Sequence, residues 1–300
     1  MKHAILWALV ALQAAQADPP PEVRRALATL EKSPDDGPAC SVAGRYYLST
    51  GDTEKALPYL KKCSDDALRA AALAEEGASE AKGAKLVEIG DLWVKALAKN
   101  RAARQAILDR ASEWYAKAWP DLDELWKAKL RERLAKLYVP QVPVRGMTLP
   151  PGWGGPVDPV HRTILSAERV HSGGRAAKCM PGKRAKSPRL LITPTVPLRG
   201  GSHVEYSIWV LSEGTESLDD YVLFFVADAE GTNLTIGKKF MQADLPVWKR
   251  LTWEVNVPDN AARGAIEVVL SSQGGVVFVD DLSIKVDGKE VLQGGGFEER

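Results

Sequence analysis

The spacing of apolar residues changes from helical to strand-like near the middle of the chain. Over residues 20–138 apolar positions recur with a helical period, and Ala, Leu, Lys, Glu and Arg dominate, as in packed helices. Residues 139–159 are rich in proline and glycine, which excludes regular helix. Beyond them, segments such as residues 203–212 (HVEYSIWVLS) alternate in the way that is typical of strands. The sequence therefore predicts a helical domain over residues 18–138, a linker over 139–159 and an all-β sandwich over 160–300.

The N-terminus forms a separate segment. MKH gives a short basic start, AILWALVALQ is a short apolar run, and AQA ends at Ala17 with small residues. This pattern predicts a secretory signal peptide over residues 1–17, cleaved between Ala17 and Asp18. A membrane anchor is the weaker alternative, because the apolar run is shorter than the roughly 20 residues that a spanning helix needs. We therefore expect an exported protein with no membrane span after cleavage, located in the periplasm, at the cell surface or outside the cell.

The charge balance argues against two classes of partner. The chain carries 40 basic and 39 acidic residues, and loss of Lys2 with the signal peptide makes the two numbers equal. Nucleic acids and anionic lipids attract proteins with a clear positive excess. We therefore expect neither as a partner.

A helical hairpin is predicted within residues 40–63 (CSVAGRYYLSTGDTEKALPYLKKC). Gly44 in the first helix and Ala56 in the second are small enough for the two helices to approach closely, and residues 50–52 form the turn. The hairpin resembles a tetratricopeptide repeat, in which small residues recur at this spacing. The resemblance implies an adaptor region that can hold a protein partner.

Two further helical features follow the hairpin. A longer, irregular copy is predicted around Gly90 and Ala111, and residues 125–137 (LWKAKLRERLAKL) predict a terminal amphipathic helix. Stable repeat arrays usually contain about three units. We therefore expect this short helical domain to rest on its neighbour.

Cysteine positions suggest a bridge across the hairpin. Cys40 opens its first helix and Cys63 closes its second, so antiparallel packing would bring them within the roughly 4.4–6.8 Å between Cα atoms that a disulfide requires. In an oxidising compartment such a bridge would stabilise the domain by about 3 kcal/mol and leave Cys179 unpaired. Two buried thiols are the alternative.

Several stretches of the β-half occur together in one order. They are residues 169–179 (RVHSGGRAAKC), 203–214 (HVEYSIWVLSEG), 248–258 (WKRLTWEVNVP) and 276–288 (VVFVDDLSIKVDG). In this order they resemble CenC-type carbohydrate-binding modules, which are galactose-binding-like jelly-roll sandwiches attached to secreted polysaccharide-degrading enzymes. The resemblance covers roughly residues 146–300 and implies a jelly roll whose ligand is a polysaccharide or another glycan.

The C-terminal residues 291–300 (VLQGGGFEER) read like the beginning of such a module. Members of that family open with Asn-Gly-x-Phe-Glu, which this chain lacks near residue 146 and carries in altered form at 294–298. We therefore expect the C-terminal segment to supply the missing edge strand, as in a circular permutation, with Phe297 buried. A frayed tail or the stub of a second module is the alternative.

The same resemblance implies a structural calcium ion where the first and last strands meet. Carboxylates and backbone carbonyls are the ligands that calcium prefers. Because side chains alternate along a strand, we expect only one of two adjacent aspartates to face the ion. A solvated turn without metal is the alternative. The implied ligands are Asp280 or Asp281, Glu298, Ser172 and Gly173.

Sugar binding would need exposed aromatic rings beside polar side chains. Trp153 lies in a Gly/Pro-rich loop and is the best candidate for an exposed ring. Tyr206 and Trp209 are three residues apart on one predicted strand, so they face opposite sides and one of them lies away from the core.

Motifs for catalysis are missing from the sequence. It holds no HExxH, CxxC, GxSxG or GxxxxGK[ST] pattern. His171 matches a structural turn of the family, so we interpret it as structural. We therefore expect a non-catalytic secreted protein that binds polysaccharide or glycan through the jelly roll. The alternative is a protein–protein scaffold whose sandwich binds no sugar, and a glycosidase or lyase is the least favoured function.

Overall fold

The structure is a computed structural model. It describes residues 19–100, 103–137, 149, 153–154, 162–180, 189–216, 219–271 and 274–297. The predicted signal peptide and most of the predicted linker lie outside these residues. None of the described helices is long and apolar enough to cross a membrane.

The N-terminal half is helical, as the apolar period predicts. Aspartates cap three of the helices, since the side chains of Asp36, Asp52 and Asp65 accept hydrogen bonds from backbone N–H groups of the following first turn. The helices are α1 (Pro21–Lys32), α2 (Gly37–Ser49), α3 (Thr53–Leu60), α4 (Asp66–Glu76), α5 (Ala84–Ala96), α6 (Arg104–Ala118) and α7 (Glu124–Leu137).

Two glycines allow the closest helix contacts. A Cβ atom at Gly44 would lie 2.6 Å from the side chain of Leu60, so α2 and α3 can pack this closely only without a side chain there. In the next hairpin a Cβ atom at Gly90 would lie 2.4 Å from the ring of Tyr115, which joins α5 and α6 in the same way. Both predicted hairpins are therefore present.

A buried glutamate connects three helices of this half. The carboxylate of Glu75 on α4 accepts hydrogen bonds from the indole nitrogens of Trp93 on α5 (2.7 Å) and Trp114 on α6 (2.6 Å). It also accepts from the guanidinium of Arg110, with 2.7 Å between Nε and Oε1. Each buried polar atom of this cluster thus has a partner, as a low-dielectric interior requires.

The predicted disulfide between Cys40 and Cys63 is not present. Both residues are buried free thiols. The thiol of Cys40 donates to the carbonyl of Pro34 (3.8 Å) and that of Cys63 to the carbonyl of Asp65 (3.3 Å). Because each sulfur is directed at a different backbone carbonyl, the two are held as separate donors rather than as a bridge. Cys179 is also a buried free thiol.

The C-terminal half is a sandwich of two antiparallel sheets. Successive strands pass repeatedly between the sheets, which gives the predicted jelly-roll arrangement. The strands are β1 (Arg162–Ser166), β2 (Ala176–Met180), β3 (Arg189–Ile192), β4 (Val196–Pro197), β5 (His203–Glu213), β6 (Tyr221–Ala227), β7 (Asn233–Phe240), β8 (Lys249–Asn256), β9 (Arg263–Val269), β10 (Val276–Val286) and β11 (Lys289–Glu290).

Each sheet contributes one face to the sandwich core. Within the described residues, a six-stranded sheet has the order β1-β2-β10-β5-β8 with β11 on β10, and a five-stranded sheet has the order β3-β9-β6-β7 with β4 on β9. Alternate residues of every long strand point inward, as a period of two requires. The buried inward residues include Val204, Tyr206, Ile208, Val210, Val222, Phe224, Val226, Ile266, Val268, Val277 and Val279.

The helical half packs on the outer face of the six-stranded sheet. Trp209 and Leu211 of β5 and Phe278 of β10 point away from the sandwich core and belong to one continuous apolar cluster with the helices. Trp248 joins the same cluster and is fully buried. The helical half therefore rests on its neighbour, as its small size leads us to expect.

The C-terminal segment differs from the prediction. Phe297 is buried with 1% of its surface exposed, and Leu282 N–H donates to the carbonyl of Gly295, so the segment returns to the sheet. Residues 291–297 nevertheless form bends and turns rather than a strand. Positive φ angles at Gly294 (74°) and Phe297 (56°) break the extended backbone. Over its described residues, the segment places Phe297 in the core and forms no edge strand.

Part of the predicted linker also belongs to the sandwich. Gly154 pairs with Ile192 of β3, and its N–H donates to the Ile192 carbonyl at 3.0 Å. The neighbouring Trp153 is buried against Phe297, with ring centroids 5.0 Å apart. Residues 153–154, which belong to the predicted linker, are thus docked to the β-half.

Candidate functional site

The three aromatic residues predicted to bind sugar are buried. Trp153 packs on Phe297, and Tyr206 lies in the sandwich core with its hydroxyl donating to the Phe225 carbonyl at 3.2 Å. Trp209 does point away from the sandwich core, as the spacing predicts, but the helical half covers it. All three expose 8% of their surface or less. The structure corrects the prediction, because no ring face of these residues is open to a ligand.

The residues predicted to bind calcium do come together, around His171. A β-bulge interrupts β10 after Asp280, and Asp281 takes a positive φ of 44°. The bulge turns both carboxylates toward residues 171–172, so the expectation that only one aspartate would face this region is wrong. Gly173 follows in the same turn with φ of 64°, and Glu298 lies outside the described residues.

Hydrogen-bond donors occupy both carboxylates. Asp280 accepts from the backbone N–H groups of His171 (2.9 Å), Ser172 (3.2 Å) and Asp281 (2.8 Å). Asp281 accepts from Nδ1 of His171 at 2.6 Å and from the Ser172 hydroxyl at 2.8 Å. Burial, followed by repulsion from Asp281, raises the pKa of the Asp280 carboxyl well above its usual value.

His171 also contacts the helical half. Its Nε2 lies 2.7 Å from a carboxylate oxygen of Asp109 on α6, so the imidazole bridges a helix and a strand. The ring stacks on Trp209, with centroids 3.9 Å apart, and meets Trp248 edge-on. We call Asp109, His171 and Asp281 the interdomain clamp.

The clamp carries a positive charge at its centre. Burial alone would lower the pKa of His171, but hydrogen bonds and charges from Asp109 and Asp281 outweigh burial and raise this pKa to about 9. Burial would raise the pKa of Asp281, whereas its bonds to His171 and Ser172 and the imidazolium charge bring it below its usual value. An imidazolium between two carboxylates is the state that this arrangement favours.

This arrangement does not fit the implied calcium ion. A calcium site presents oxygen lone pairs toward a shared centre. Here N–H and O–H groups point at the oxygens of both aspartates, and the imidazolium supplies the positive charge. Among the described residues, no group of three or more His, Cys, Asp or Glu side chains is arranged to hold a metal. The cluster therefore joins the two halves of the molecule.

An exposed aromatic face lies on the opposite side of the sandwich. On β6 and β7 the residues that alternate with the core point outward, and cross-strand pairing places them side by side. Phe240 and Ile236 expose 53% and 51% of their surface. We call this surface the β6–β7 face; its residues are Tyr221, Leu223, Phe225, Ile236, Lys238 and Phe240.

Two aromatic rings at one end of this face surround a cation. Tyr221 stands opposite Phe240, and their rings meet edge to face with centroids 6.1 Å apart. Lys238 lies between Ile236 and Phe240 on the strand, and its Nζ is 3.8 Å from the Tyr221 ring centre and 4.5 Å from that of Phe240. Inward of the face, Phe224 and Val222 anchor β6 in the core.

The sequence held a weak signal for this surface. In DYVLFFVADA adjacent Phe224 and Phe225 cannot both face the core, since side chains alternate, so one of them must point outward. Residues 233–240 (NLTIGKKF) alternate poorly, and sequence reasoning did not identify them as a strand. Phe240 was missed as a candidate for that reason.

Two depressions lie elsewhere on the molecule. A cleft of about 220 Å³ lies between α7 and the sandwich. Its charged rim is paired, because Arg131 meets Asp244 and Arg169 meets Glu213. A second depression of about 150 Å³ lies on the six-stranded sheet, and its lining includes the charged residues Glu205, Arg250, Glu254 and Lys285.

Comparison with known proteins yields only distant likenesses. No family model and no curated protein matches the chain. Among solved structures, tailspike protein 4 of bacteriophage CBA120 is 14% identical with a TM-score of 0.37, over 47% of this chain and 19% of that one. An arabinose-bound α-L-arabinofuranosidase is 10% identical with a TM-score of 0.38, over 50% of this chain and 25% of that one. A family 16 carbohydrate-binding module is 14% identical with a TM-score of 0.36, over 45% of this chain and 91% of that one. Likenesses this distant carry no argument about the ligand.

Proposed function

We propose that the protein is an exported, non-catalytic glycan-binding protein that contacts its ligand through the β6–β7 face. The observation that carries the proposal is the exposure of Phe240 beside Tyr221, with Phe225 further along the same face. Soluble proteins usually bury large apolar side chains, so several of them together on the surface indicate a binding site.

The shape of the face suits an extended sugar chain. Tyr221 and Phe225 are four residues apart on β6, which separates them by roughly 13 Å along the strand. Aromatic rings present flat apolar surfaces to the C–H groups of sugar rings, and Lys238 supplies hydrogen-bond donors between them. An open strand surface of this length fits a polymer that is bound along its length.

The proposal includes two expectations from the sequence: that the protein is exported and that it is not an enzyme. Residues 1–17 have the pattern of a secretory signal peptide. The adjacent Asp280 and Asp281 accept structural hydrogen bonds, which leaves them unsuited to act as a general acid and base. The CenC-type and tetratricopeptide-like resemblances support a binding module preceded by an adaptor, and they too remain part of the proposal.

A protein partner is the second candidate for the same face. Ile236 and Leu223 are aliphatic, and aliphatic side chains pack against proteins more readily than against sugars. The alternative function is therefore a scaffold whose sandwich binds protein.

The test is retention of the full chain on insoluble polysaccharides and on a glycan array. Phe240→Ser should lower affinity about tenfold, as loss of a central aromatic contact does. Leu125→Ser is the matched control, because Leu125 is also a large exposed apolar residue but lies on α7. It should leave binding unchanged. Lack of retention across the panel, or retention that Phe240→Ser does not alter, would overturn the proposal.

A further inference from the structure

Lys238 occupies the centre of the β6–β7 face. Cross-strand pairing places it opposite Leu223, between Ile236 and Phe240. Its ammonium lies over two rings, 3.8 Å from the centre of Tyr221 and 4.5 Å from that of Phe240. Any ligand that covers these rings must therefore meet a cation.

This cation has no carboxylate partner within the described part of the chain. Some lysines of the molecule are paired with carboxylates, as Lys178 is with Glu168 and Lys55 is with Asp52. Neither Lys238 nor the adjacent Lys239 forms such a pair among the described residues. The ammonium of Lys238 is instead held by ring faces alone.

Two acidic side chains near the face are buried or accept a hydrogen bond from the backbone. Glu267 on β9, opposite Leu223, has only 6% of its surface exposed. Asp228 at the end of β6 accepts the N–H of Thr232 in the β6–β7 turn. The surface between these positions is mainly apolar; Lys238 is the cation at its centre, and Arg263 lies at the end beside the β6–β7 turn.

We propose that the β6–β7 face selects anionic polysaccharides, whose carboxylate or sulfate groups pair with Lys238; this inference rests on the proposed function. A cation–π contact at an exposed site is weak, so the ammonium can turn toward an anion at little cost. Hydrogen bonds between ammonium and carboxylate or sulfate are charge-assisted and strong, more so beside apolar rings that exclude water.

The same geometry disfavours a neutral sugar. To stack on Tyr221, a neutral ring must displace the ammonium from the ring face and receives no ionic contact in return. An anionic sugar gains that contact when it displaces the ammonium. Lys238 therefore acts as a specificity determinant, and the rings supply the contact area.

The test compares polymers that differ only in charge. Polygalacturonate and its methyl-esterified form share one backbone, as do sulfated and unsulfated galactans, so the two pairs separate carboxylate from sulfate recognition. The full chain should bind at least one charged polymer about tenfold more tightly than its neutral counterpart, as expected for one charge-assisted contact. Added salt should reduce the difference.

Variants assign that difference to one residue. Lys238→Gln should remove the preference for the charged polymer, and Lys238→Arg should retain it. Lys289→Gln is the matched control, because Lys289 is an exposed strand lysine on the other sheet. It should behave as the unaltered chain.

The outcomes separate this inference from the proposal beneath it. Equal binding of charged and neutral polymers, unchanged in Lys238→Gln, would overturn charge selection and leave glycan binding in place. No binding of any polymer would overturn both. Binding of polyglutamate through Lys238 without binding of any polysaccharide would show that the partner is an acidic peptide, which also overturns the inference.

Discussion

The outer faces of the two sheets differ in burial: one is covered by the helical half and the other is exposed. On the six-stranded sheet, the helical half covers outward residues such as Trp209 and Phe278, which become part of a shared core. On the five-stranded sheet, Ile236 and Phe240 occupy equivalent outward positions and remain exposed. Both faces carry aromatic residues, so the difference lies in what the rest of the chain places over them. An uncovered aromatic face in a chain that already covers the other one is the stronger candidate for binding.

The comparison also shows how a polar group can be used at each face. Beneath the helices, His171 is buried and receives carboxylates from both sides, Asp109 and Asp281. On the open face, the Lys238 ammonium lies over two ring faces and has no carboxylate partner among the described residues. A buried charge must be paired within the protein, whereas an exposed charge is free to pair with a ligand.

The largest expected difference between the faces is in stability. Trp209→Ala removes a ring that is 8% exposed and stacks on His171, so it should lower the free energy of unfolding by about 3–5 kcal/mol. Phe240→Ala removes a ring that is 53% exposed and should change it by less than about 0.5 kcal/mol. Chemical denaturation followed by circular dichroism measures both.

If the alanine variant does not fold, Trp209→Phe can be measured in its place. It should lower the free energy of unfolding by an intermediate amount. Should Trp209→Ala cost no more than Phe240→Ala, the helical half would not be fixed on the six-stranded sheet. The contrast between a covered and an open face would then be lost.

The next effect is a dependence of stability on pH that belongs to the covered face alone. The pKa of His171 is raised from 6.5 to about 9 on folding, so its stabilisation is fully present below pH 6.5 and is lost as the pH rises through 9. The loss should amount to roughly 3 kcal/mol. Asp281 has a lowered pKa, so its contribution is present above its usual value of 3.8 and disappears in stronger acid.

His171→Gln isolates this effect from any other change in stability over the same pH range. The variant should lose the decline between pH 6.5 and 9 that the unaltered chain shows. His203→Gln, which alters a histidine at the start of β5 away from the clamp, should retain it. An identical slope in all three proteins would mean that the clamp is not protonated.

The apolar period predicted both architectures, because it reports which side of an element is buried. It could not report what buries that side. One of Tyr206 and Trp209 was correctly expected to point away from the sandwich core; it is Trp209, and its cover comes from helices far away in sequence. The bulge at Asp280 and Asp281 was missed because alternation assumes an unbroken strand.

The candidate site illustrates the same limit. Phe225 could be inferred to face outward from its neighbour Phe224, whereas β7 lacks regular alternation and Phe240 escaped notice. Exposure depends on tertiary contacts and is therefore the property that sequence periodicity predicts least well. Burial of Phe297 was predicted, but the strand was not formed, since Gly294 and its neighbours favour a turn.

The smallest expected effect concerns the rim where the covered face meets solvent. Arg131 of α7 pairs with Asp244 of the β-half, and both side chains are about two-fifths exposed. Exposed ion pairs contribute about 0–1 kcal/mol and weaken with salt. Arg131→Gln should therefore lower the free energy of unfolding by no more than about 1 kcal/mol in low salt, and by less in high salt. Arg133→Gln, which breaks the similarly exposed pair with Asp91 inside the helical half, is the matched control. Equal small losses in both variants would mean that Trp209 and the interdomain clamp hold the helical half on the sheet. A much larger loss in Arg131→Gln would mean that the ion pair with Asp244 holds it instead.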